Sequence, residues 1–346
     1  MQYIFVGTGK QAKNILLCLL KNKRIFNKTK NKIIGVDPSF QQLKKFYNFA
    51  KKIFPQLEIY LYKINEKLKI NPKNTVAFIT SPPKYHKENF IYLISIGVKK
   101  IILEKPIAAC IKDFNDILKI AKQKKINLYI QEQYFYSIAT KELQRLVRNP
   151  SLFIKEKTKI NEKKQLIVER TKSFFLKKRL KSLLRGRWVE NICLIELPHI
   201  LSLLNFIFGK LKIKEFKNKD LIFNNKLYVG YKEAKIVLSD KNGIPHEIYL
   251  SNVRRITRKI VINLNNDIKV IFDFPGKLKK LNHRFFSKIT IYKKNKILYY
   301  KKYEDDHLKK AVKSYILWKN ILGSLKKCAR PNKMILELVG CNKIIS

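Results

Sequence analysis

Six short apolar runs, alternating with stretches of helical spacing, occupy residues 1–130 and leave that region few folds to choose from. The runs are Tyr3-Ile4-Phe5-Val6, Ile33-Ile34-Gly35-Val36, 59–62, Val76-Ala77-Phe78-Ile79, Lys100-Ile101-Ile102-Leu103 and Asn127-Leu128-Tyr129-Ile130. Short, continuous apolar runs are the mark of parallel strands buried on both faces. Residues 12–20, 40–54, 85–96 and 111–124 show helical apolar spacing between them. Strands joined by helical crossovers predict an α/β doubly wound parallel sheet of the Rossmann type, with helices on both faces.

Beyond residue 136 the pattern changes. A helix to about 148 precedes segments of strand character at 152–157, 165–169, 213–216, 227–230, 234–238, 246–250, 259–263, 267–273, 287–292 and 297–300. Lys241-Asn242-Gly243 and Pro275-Gly276 read as turns between some of them. One apolar helix at 199–208, opened by Pro198, and two closing helices at 306–327 and 333–342 complete the reading. The expected organisation is a Rossmann domain over 1–135, followed by an α+β domain over 136–346 with a large, mostly antiparallel open sheet. No internal repeat or low-complexity linker interrupts either part.

Gly7-Thr8-Gly9-Lys10-Gln11-Ala12 is G-x-G-x-x-A placed between the first strand and the first helix. Gly7 makes the tight turn, Gly9 lets backbone approach a pyrophosphate, and Ala12 permits close helix–strand packing. The helix N-terminus adds N–H groups and a positive dipole end for phosphates. Asp37 ends the second strand, where a carboxylate holds adenosine ribose hydroxyls. That position favours NAD; the lysines nearby, Lys10 among them, keep NADP open.

Two further motifs follow the fourth and fifth strands: Thr80-Ser81-Pro82-Pro83-Lys84-Tyr85-His86 and Glu104-Lys105-Pro106. Both sit at strand C-terminal ends, the edge where open α/β sheets bind ligands. A lysine at a partly buried strand end beside a cofactor is suited to acid–base work, because its pKa responds to its surroundings. With the glycine fingerprint and the β-rich second half, these residues resemble the Gfo/Idh/MocA family, to which glucose-fructose oxidoreductases and inositol dehydrogenases belong. The resemblance spans the whole chain, with specific motifs in the first 110 residues and architecture alone beyond about 150.

The resemblance implies a nicotinamide dinucleotide held by Gly7, Thr8, Gly9, Lys10, Gln11, Ala12, Asp37, Thr80, Ser81, Pro82, His86, Glu104 and Lys105. It implies that Lys105 contacts the reacting hydroxyl and assists proton transfer, and that the proline after it is often cis. It also implies a second domain that holds substrate and often mediates oligomers, and a final helix returning to the first domain. The family's Asp-x-x-x-His is kept in part: His199 stands at the histidine, Ile195 at the aspartate, and Glu196 one residue away. Glu196 and His199 are therefore counted with Lys105 as candidate catalytic residues. The family's glycine-rich approach is replaced by Arg185-Gly186-Arg187-Trp188, and its sixth-strand arginine is absent from Gln131-Glu132-Gln133-Tyr134.

Charge is the other unusual feature, with 75 basic residues against 25 acidic ones and a net charge of +50. Clustered basic residues would suggest nucleic acid. Here the excess is lysine spread along the whole chain, and Lys, Asn, Ile, Phe and Tyr, all built from A and T codons, are abundant together. Composition drift explains that pattern, so nucleic acid is not expected as a partner, whereas the field still favours a dinucleotide or a phosphorylated sugar. Arg254, Arg255 and Arg258 form the densest arginine group, read as a solvated sheet face or an anion site. Five scattered cysteines without paired spacing predict neither disulfides nor a metal site, consistent with a reducing compartment. Met1 to Val6 lacks the features of a signal peptide, and the apolar stretch at 192–208 is broken by Glu196, Pro198 and His199, so a soluble cytoplasmic protein is expected.

Three functions remain: hydride transfer to or from a hydroxyl-bearing carbon of a sugar, cyclitol or sugar-nucleotide; a cofactor-binding pseudoenzyme or sensor of the same fold; and an anionic-surface or nucleic-acid binder. A homo-oligomer, dimer or tetramer, accompanies the first.

Overall fold

The apolar runs form the predicted sheet. Strands β1 (Gln2–Val6), β2 (Lys32–Val36), β3 (Ile59–Tyr62), β4 (Thr75–Ile79), β5 (Lys100–Leu103) and β6 (Asn127–Ile130) pair in the order β3-β2-β1-β4-β5-β6, all parallel. Tyr3, Ile4, Phe5 and Val6 are all buried, as a central parallel strand covered on both faces requires. The computed structural model describes residues 1–22, 31–64, 66–154, 165–171, 191–223, 226–251, 257–264, 267–277, 285–319 and 321–341. Within the chain there are two units, Met1–Gln133 with Leu308–Leu336 and Tyr134–His307 with Glu337–Ser346.

In the first unit the crossovers contain helices α1 (Lys10–Leu20), α2 (Phe40–Ile53), α3 (His86–Ser95) and α4 (Ile111–Gln123). Each turns an apolar stripe inward: Ala12, Ile15, Leu16, Leu19 and Leu20 on α1, and Leu43, Phe46 and Ala50 on α2. Phe5 stacks on Phe78 with centroids 5.0 Å apart and meets Phe46 at 5.6 Å, which ties β1 to β4 and to α2. Two closing segments join this unit. One is most of α7 (His307–Leu317), whose Tyr315 meets Phe78 edge-on at 6.2 Å. The other is the first part of α8 (Leu325–Cys341).

These two helices replace the single helix expected over 306–327. Trp318 takes φ 49°, the Gly323 carbonyl accepts from Ile130 N at 2.8 Å, and Ser324 bridges Tyr129. The chain leaves the helix to satisfy the free edge of β6, so tertiary hydrogen bonds override helical periodicity. The second expected helix accordingly starts earlier, at Leu325.

The second unit opens with α5 (Ile138–Arg148), capped by the Ser137 hydroxyl, which accepts from Thr140 N at 3.0 Å and donates to buried Asp305. An eight-stranded sheet follows: β7 (Gln165–Thr171), β8 (Lys212–Phe223), β9 (Lys226–Ser239), β10 (Pro245–Ser251), β11 (Thr257–Asn263), β12 (Ile268–Lys277), β13 (Phe285–Lys293) and β14 (Lys296–Glu304). Its order is β14-β13-β12-β11-β7-β10-β9-β8; β7 and β10 run parallel and the other neighbours antiparallel.

Several local expectations change here. The segments 227–230 and 234–238 fall in one strand, β9, which β8 pairs on both sides of a register shift between Lys219 and Leu221. Pro275-Gly276 lies inside β12 at a register shift against β13, a bulge rather than a turn. Leu152 belongs to a 3-10 turn, Pro150–Leu152, and not to a strand. Residues 155–157, Arg185-Gly186-Arg187-Trp188, Arg254 and Arg255 lie outside the described residues, and of Arg258 only the backbone, within β11, is described.

Helix α6 (Ile192–Phe208) begins seven residues before the expected start, with Asn191 capping it by accepting from Cys193 N at 2.9 Å. Pro198 is therefore inside the helix, where a missing N–H and a ring clash cost about 3 kcal/mol. Leu194, Leu197, Ile200, Leu201, Leu203 and Leu204 are all buried, at roughly 1.5–3 kcal/mol each, and their burial outweighs the proline. An all-round apolar helix of this kind is one packed on several sides; here it meets α5, β9 and β10. Among the described residues no helix is long and apolar enough to cross a membrane.

Candidate active site

The chain direction of a parallel sheet gathers the loops after β1, β2, β4 and β5 at one edge. Gly7 takes φ +88°, and its N–H donates to Val36 O at 2.8 Å. A Cβ at Gly7 would lie 2.5 Å from Ser81 N and 2.7 Å from Ser81 Cα, so the loops after β1 and β4 touch at a point that only glycine permits. Thr80 holds this junction from the other side, donating through N to Val6 O at 2.8 Å and through Oγ1 to Gly7 O at 2.5 Å.

Gly9 differs. It is the N-cap of α1 at φ −70°, and a Cβ there would meet nothing within 4 Å. No side chain caps α1 and no acidic residue occupies its first turn. The first-turn N–H groups and the positive end of the dipole thus face open space, the arrangement that accepts a phosphate. Ala12 is fully buried, as close packing against β1 needs, while Lys10 is exposed and Gln11 half-buried.

Asp37 follows β2 and turns inward. Its Oδ2 accepts from Thr8 N at 2.8 Å and Thr8 Oγ1 at 3.0 Å, and its Oδ1 from Ser39 N at 2.9 Å. A carboxylate offers about four acceptor positions, so one remains for a hydroxyl donor. Thr8 is fully buried and Asp37 is 8% exposed.

Ser81 is half-buried, its Oγ accepting from Asn89 Nδ2 at 2.8 Å, and Pro82 is exposed. His86 is different in kind, being fully enclosed. Its Nε2 faces Ser81 O at 2.9 Å and its Nδ1 faces Ile107 O at 3.2 Å. Two carbonyls favour a protonated ring, but burial outweighs them and lowers its pKa from the ordinary 6.5 to about 4. The neutral ring, with a single N–H to give to one of the two carbonyls, is packed between the loops after β4 and β5 with no surface left for a ligand.

Glu104 follows β5. Its Oε2 accepts from Lys105 N at 2.7 Å, and its side chain also bonds Gln11. Burial raises its pKa, against the opposing pull of the Lys105 charge. The Lys105–Pro106 peptide is cis. Next comes Ile107, whose N–H donates to Asn332 Oδ1 of α8 at 3.1 Å.

In the second unit, Glu196 and His199 both lie in the body of α6 and both are buried. Three residues apart, they share one face of the helix, as do His199 and position 195, four residues before it. The edge of the His199 ring meets Tyr134 at 5.0 Å, and Tyr134 stacks on His307 at 5.2 Å with Phe274 at 5.6 Å.

Residues 1–132 match the model of an oxidoreductase family with an NAD-binding Rossmann fold, GFO_IDH_MocA. Over those residues the chain is similar to the Gfo/Idh/MocA family. No curated protein matches the sequence significantly. Solved structures of oxidoreductases match over 98–99% of the chain. The 3-ketoreductase KijD10 from Actinomadura kijaniata, in complex with NADP and TDP-benzene, is 9% identical with a TM-score of 0.72, covering 99% of this chain and 96% of that one. An oxidoreductase from Agrobacterium radiobacter, in complex with NAD+, L-tartaric acid and magnesium, is 14% identical with a TM-score of 0.70, covering 98% and 94%. UDP-N-acetylglucosamine 3-dehydrogenase GnnA from Acidithiobacillus ferrooxidans is 13% identical with a TM-score of 0.66, covering 99% and 97%. At these identities the likeness establishes the shared fold.

The sequence motifs from Gly7 to Lys105 come together in the first unit, and Glu196 with His199 in the second. Sequence reading missed Asn332, Tyr134 and His307. Tyr134 sits in an aromatic run that carried a signal without a partner. Asn332 carried none, since an asparagine after Pro331 in a helical stretch resembles any surface residue.

Proposed function

We propose that this chain is an NAD(P)-dependent dehydrogenase or reductase acting on a hydroxyl-bearing carbon of a sugar, cyclitol or sugar-nucleotide. The observation that carries the proposal is Lys105, half-buried at the C-terminal end of β5, on the same sheet edge as the open N-terminus of α1. The residues fit a dinucleotide: the space above Gly9 and the uncapped α1 suit the pyrophosphate, and the remaining acceptor of Asp37 suits an adenosine ribose hydroxyl. Gly7, Thr8, Lys10, Gln11 and Ala12 shape that cradle, Thr80, Ser81 and Pro82 border it, and Glu104 anchors Lys105. NAD is the preferred form because Asp37 carries negative charge where a 2′-phosphate would fall, with NADP the alternative.

When bound, the nicotinamide supplies the hydride acceptor or donor. Lys105 takes the proton from the substrate hydroxyl in oxidation and returns it in reduction, a contribution of about 100- to 10,000-fold. In the second unit His199 and Glu196, one turn apart on the same face of α6, are the candidate catalytic pair, with Glu196 taking the place of the family's aspartate. The domain over 1–135 binds the dinucleotide, and that over 136–346 holds substrate and builds a homo-oligomer through its open sheet. The ligands of KijD10 and the activity of GnnA support a sugar-nucleotide substrate.

The test is a spectrophotometric screen of nucleotide sugars, free sugars and inositols with NAD and NADP, paired with Lys105→Met. We expect turnover by the parent chain and, in Lys105→Met, unchanged dinucleotide affinity with turnover lost. Full turnover in Lys105→Met would overturn the assignment. A dinucleotide-binding sensor is the second reading, favoured by Ile195 at the aspartate position; dinucleotide binding without turnover on any substrate would select it.

A further inference from the structure

The peptide of Ile107, two residues beyond Lys105, is held in an unusual way. It is fully buried, yet its N–H is taken by a side chain rather than by the sheet. Its N–H donates to Asn332 Oδ1 at 3.1 Å, and its carbonyl faces His86 Nδ1 at 3.2 Å. Asn332 is itself fully buried, and its Nδ2 donates to Cys328 O at 2.8 Å, so its amide orientation is fixed within α8. Asn332 lies 225 positions after Ile107 in sequence. The turn that carries Lys105 is therefore located at its far end by one side chain of the closing helix.

We propose that Asn332 is a positioning residue for Lys105, so that the acid–base site is incomplete until α8 has docked. The inference rests on the acid–base role of Lys105 proposed above. Removing the acceptor leaves a buried N–H without a partner, and the loop shifts to reach another. A shift of about 1 Å at a reacting group costs on the order of 100-fold in rate, whereas Gly7, Gly9 and Asp37 lie on other loops and keep their geometry.

The test compares Asn332→Leu, which lacks the acceptor, with Asn332→Asp, which retains it. One readout needs neither cofactor nor substrate: the pH dependence of Lys105 acetylation by acetic anhydride, followed by peptide mass spectrometry. The others are kcat and NADH affinity. Asn332→Leu is expected to shift the Lys105 labelling profile and to lower kcat about 10- to 100-fold, with NADH affinity unchanged. Asn332→Asp, kept protonated by burial so that its O–H still donates to Cys328 O while Oδ1 accepts from Ile107 N, is expected to follow the parent in all three. A folded Asn332→Leu with the parent labelling profile and kcat overturns the proposal. If Asn332→Leu does not fold, amide hydrogen exchange of the parent chain decides: slow exchange at Ile107 is expected, and exchange at the rate of a free loop overturns it. The two roles fail separately. Full turnover in Lys105→Met removes the acid–base reading, whereas an inactive Lys105→Met beside an unaltered Asn332→Leu removes only the positioning claim.

Discussion

Thr8 and Asp37, 29 positions apart, are joined twice: the Thr8 backbone N–H and side-chain hydroxyl both donate to Asp37 Oδ2, at 2.8 and 3.0 Å. The pair locks the end of β2 to the glycine turn and aims the carboxylate before any ligand arrives. A site organised in this way spends little of its binding energy on ordering.

Asp37→Ala should therefore lose both stability and affinity. Two buried donors on Thr8 are left unsatisfied, which costs about 1–3 kcal/mol each, and the ribose loses a charge-assisted bond worth about 1.5–3 kcal/mol, or roughly 10- to 100-fold in Kd. Thermal melts and parallel fluorescence titrations with NADH and NADPH check this. Unchanged NADH affinity would remove Asp37 from the cofactor site.

The two glycines of the turn should separate stability from binding. Gly7→Ala forces a side chain into φ +88° and against the Ser81 backbone, for a loss of at least about 2 kcal/mol. Gly9→Ala adds a methyl to open space at an ordinary φ, so stability should stay within about 0.5 kcal/mol. Dinucleotide affinity should nevertheless fall about tenfold or more, because the methyl occupies the space offered to the pyrophosphate. Denaturant unfolding and NADH titration of both variants give the comparison; a Gly9→Ala chain that binds normally would show that the cradle lies elsewhere.

His86 predicts a pH dependence of stability. Its folded pKa of about 4 lies below the unfolded 6.5, so between these values the unfolded chain binds more protons than the folded one. The contribution is fully present above pH 6.5 and is lost as pH falls toward 4, by roughly 3 kcal/mol. Denaturant midpoints across that window should drop in the parent and flatten in His86→Gln. Equal slopes in both would show that other groups carry the acid sensitivity.

Gly323→Ala should loosen the β6 edge, since a Cβ there would overlap the Ile130 carbonyl oxygen. The backbone must move, and the bond from Ile130 N to Gly323 O is lost. Faster amide exchange at 128–130, with a lower melting temperature, is the expected result; protection equal to the parent would contradict it.

The sequence by itself determined the parallel sheet and the address of its ligand edge. Apolar runs short enough for strands and alternating with helices permit little else, and chain direction then brings Gly7, Asp37, Thr80 and Lys105 to the same edge. Only the tertiary structure decided how that edge is braced. His86 reads as a cofactor residue by its motif but is buried between two loops; Asn332 gives no local signal yet holds the Ile107 amide. Pro198 reads as a helix start, but burial along α6 carries the helix through it, and the edge of β6 breaks the closing helix at Gly323. In each case the deciding contact joins residues distant in sequence, and its burial or hydrogen bonding outweighs the local propensity that the sequence displays.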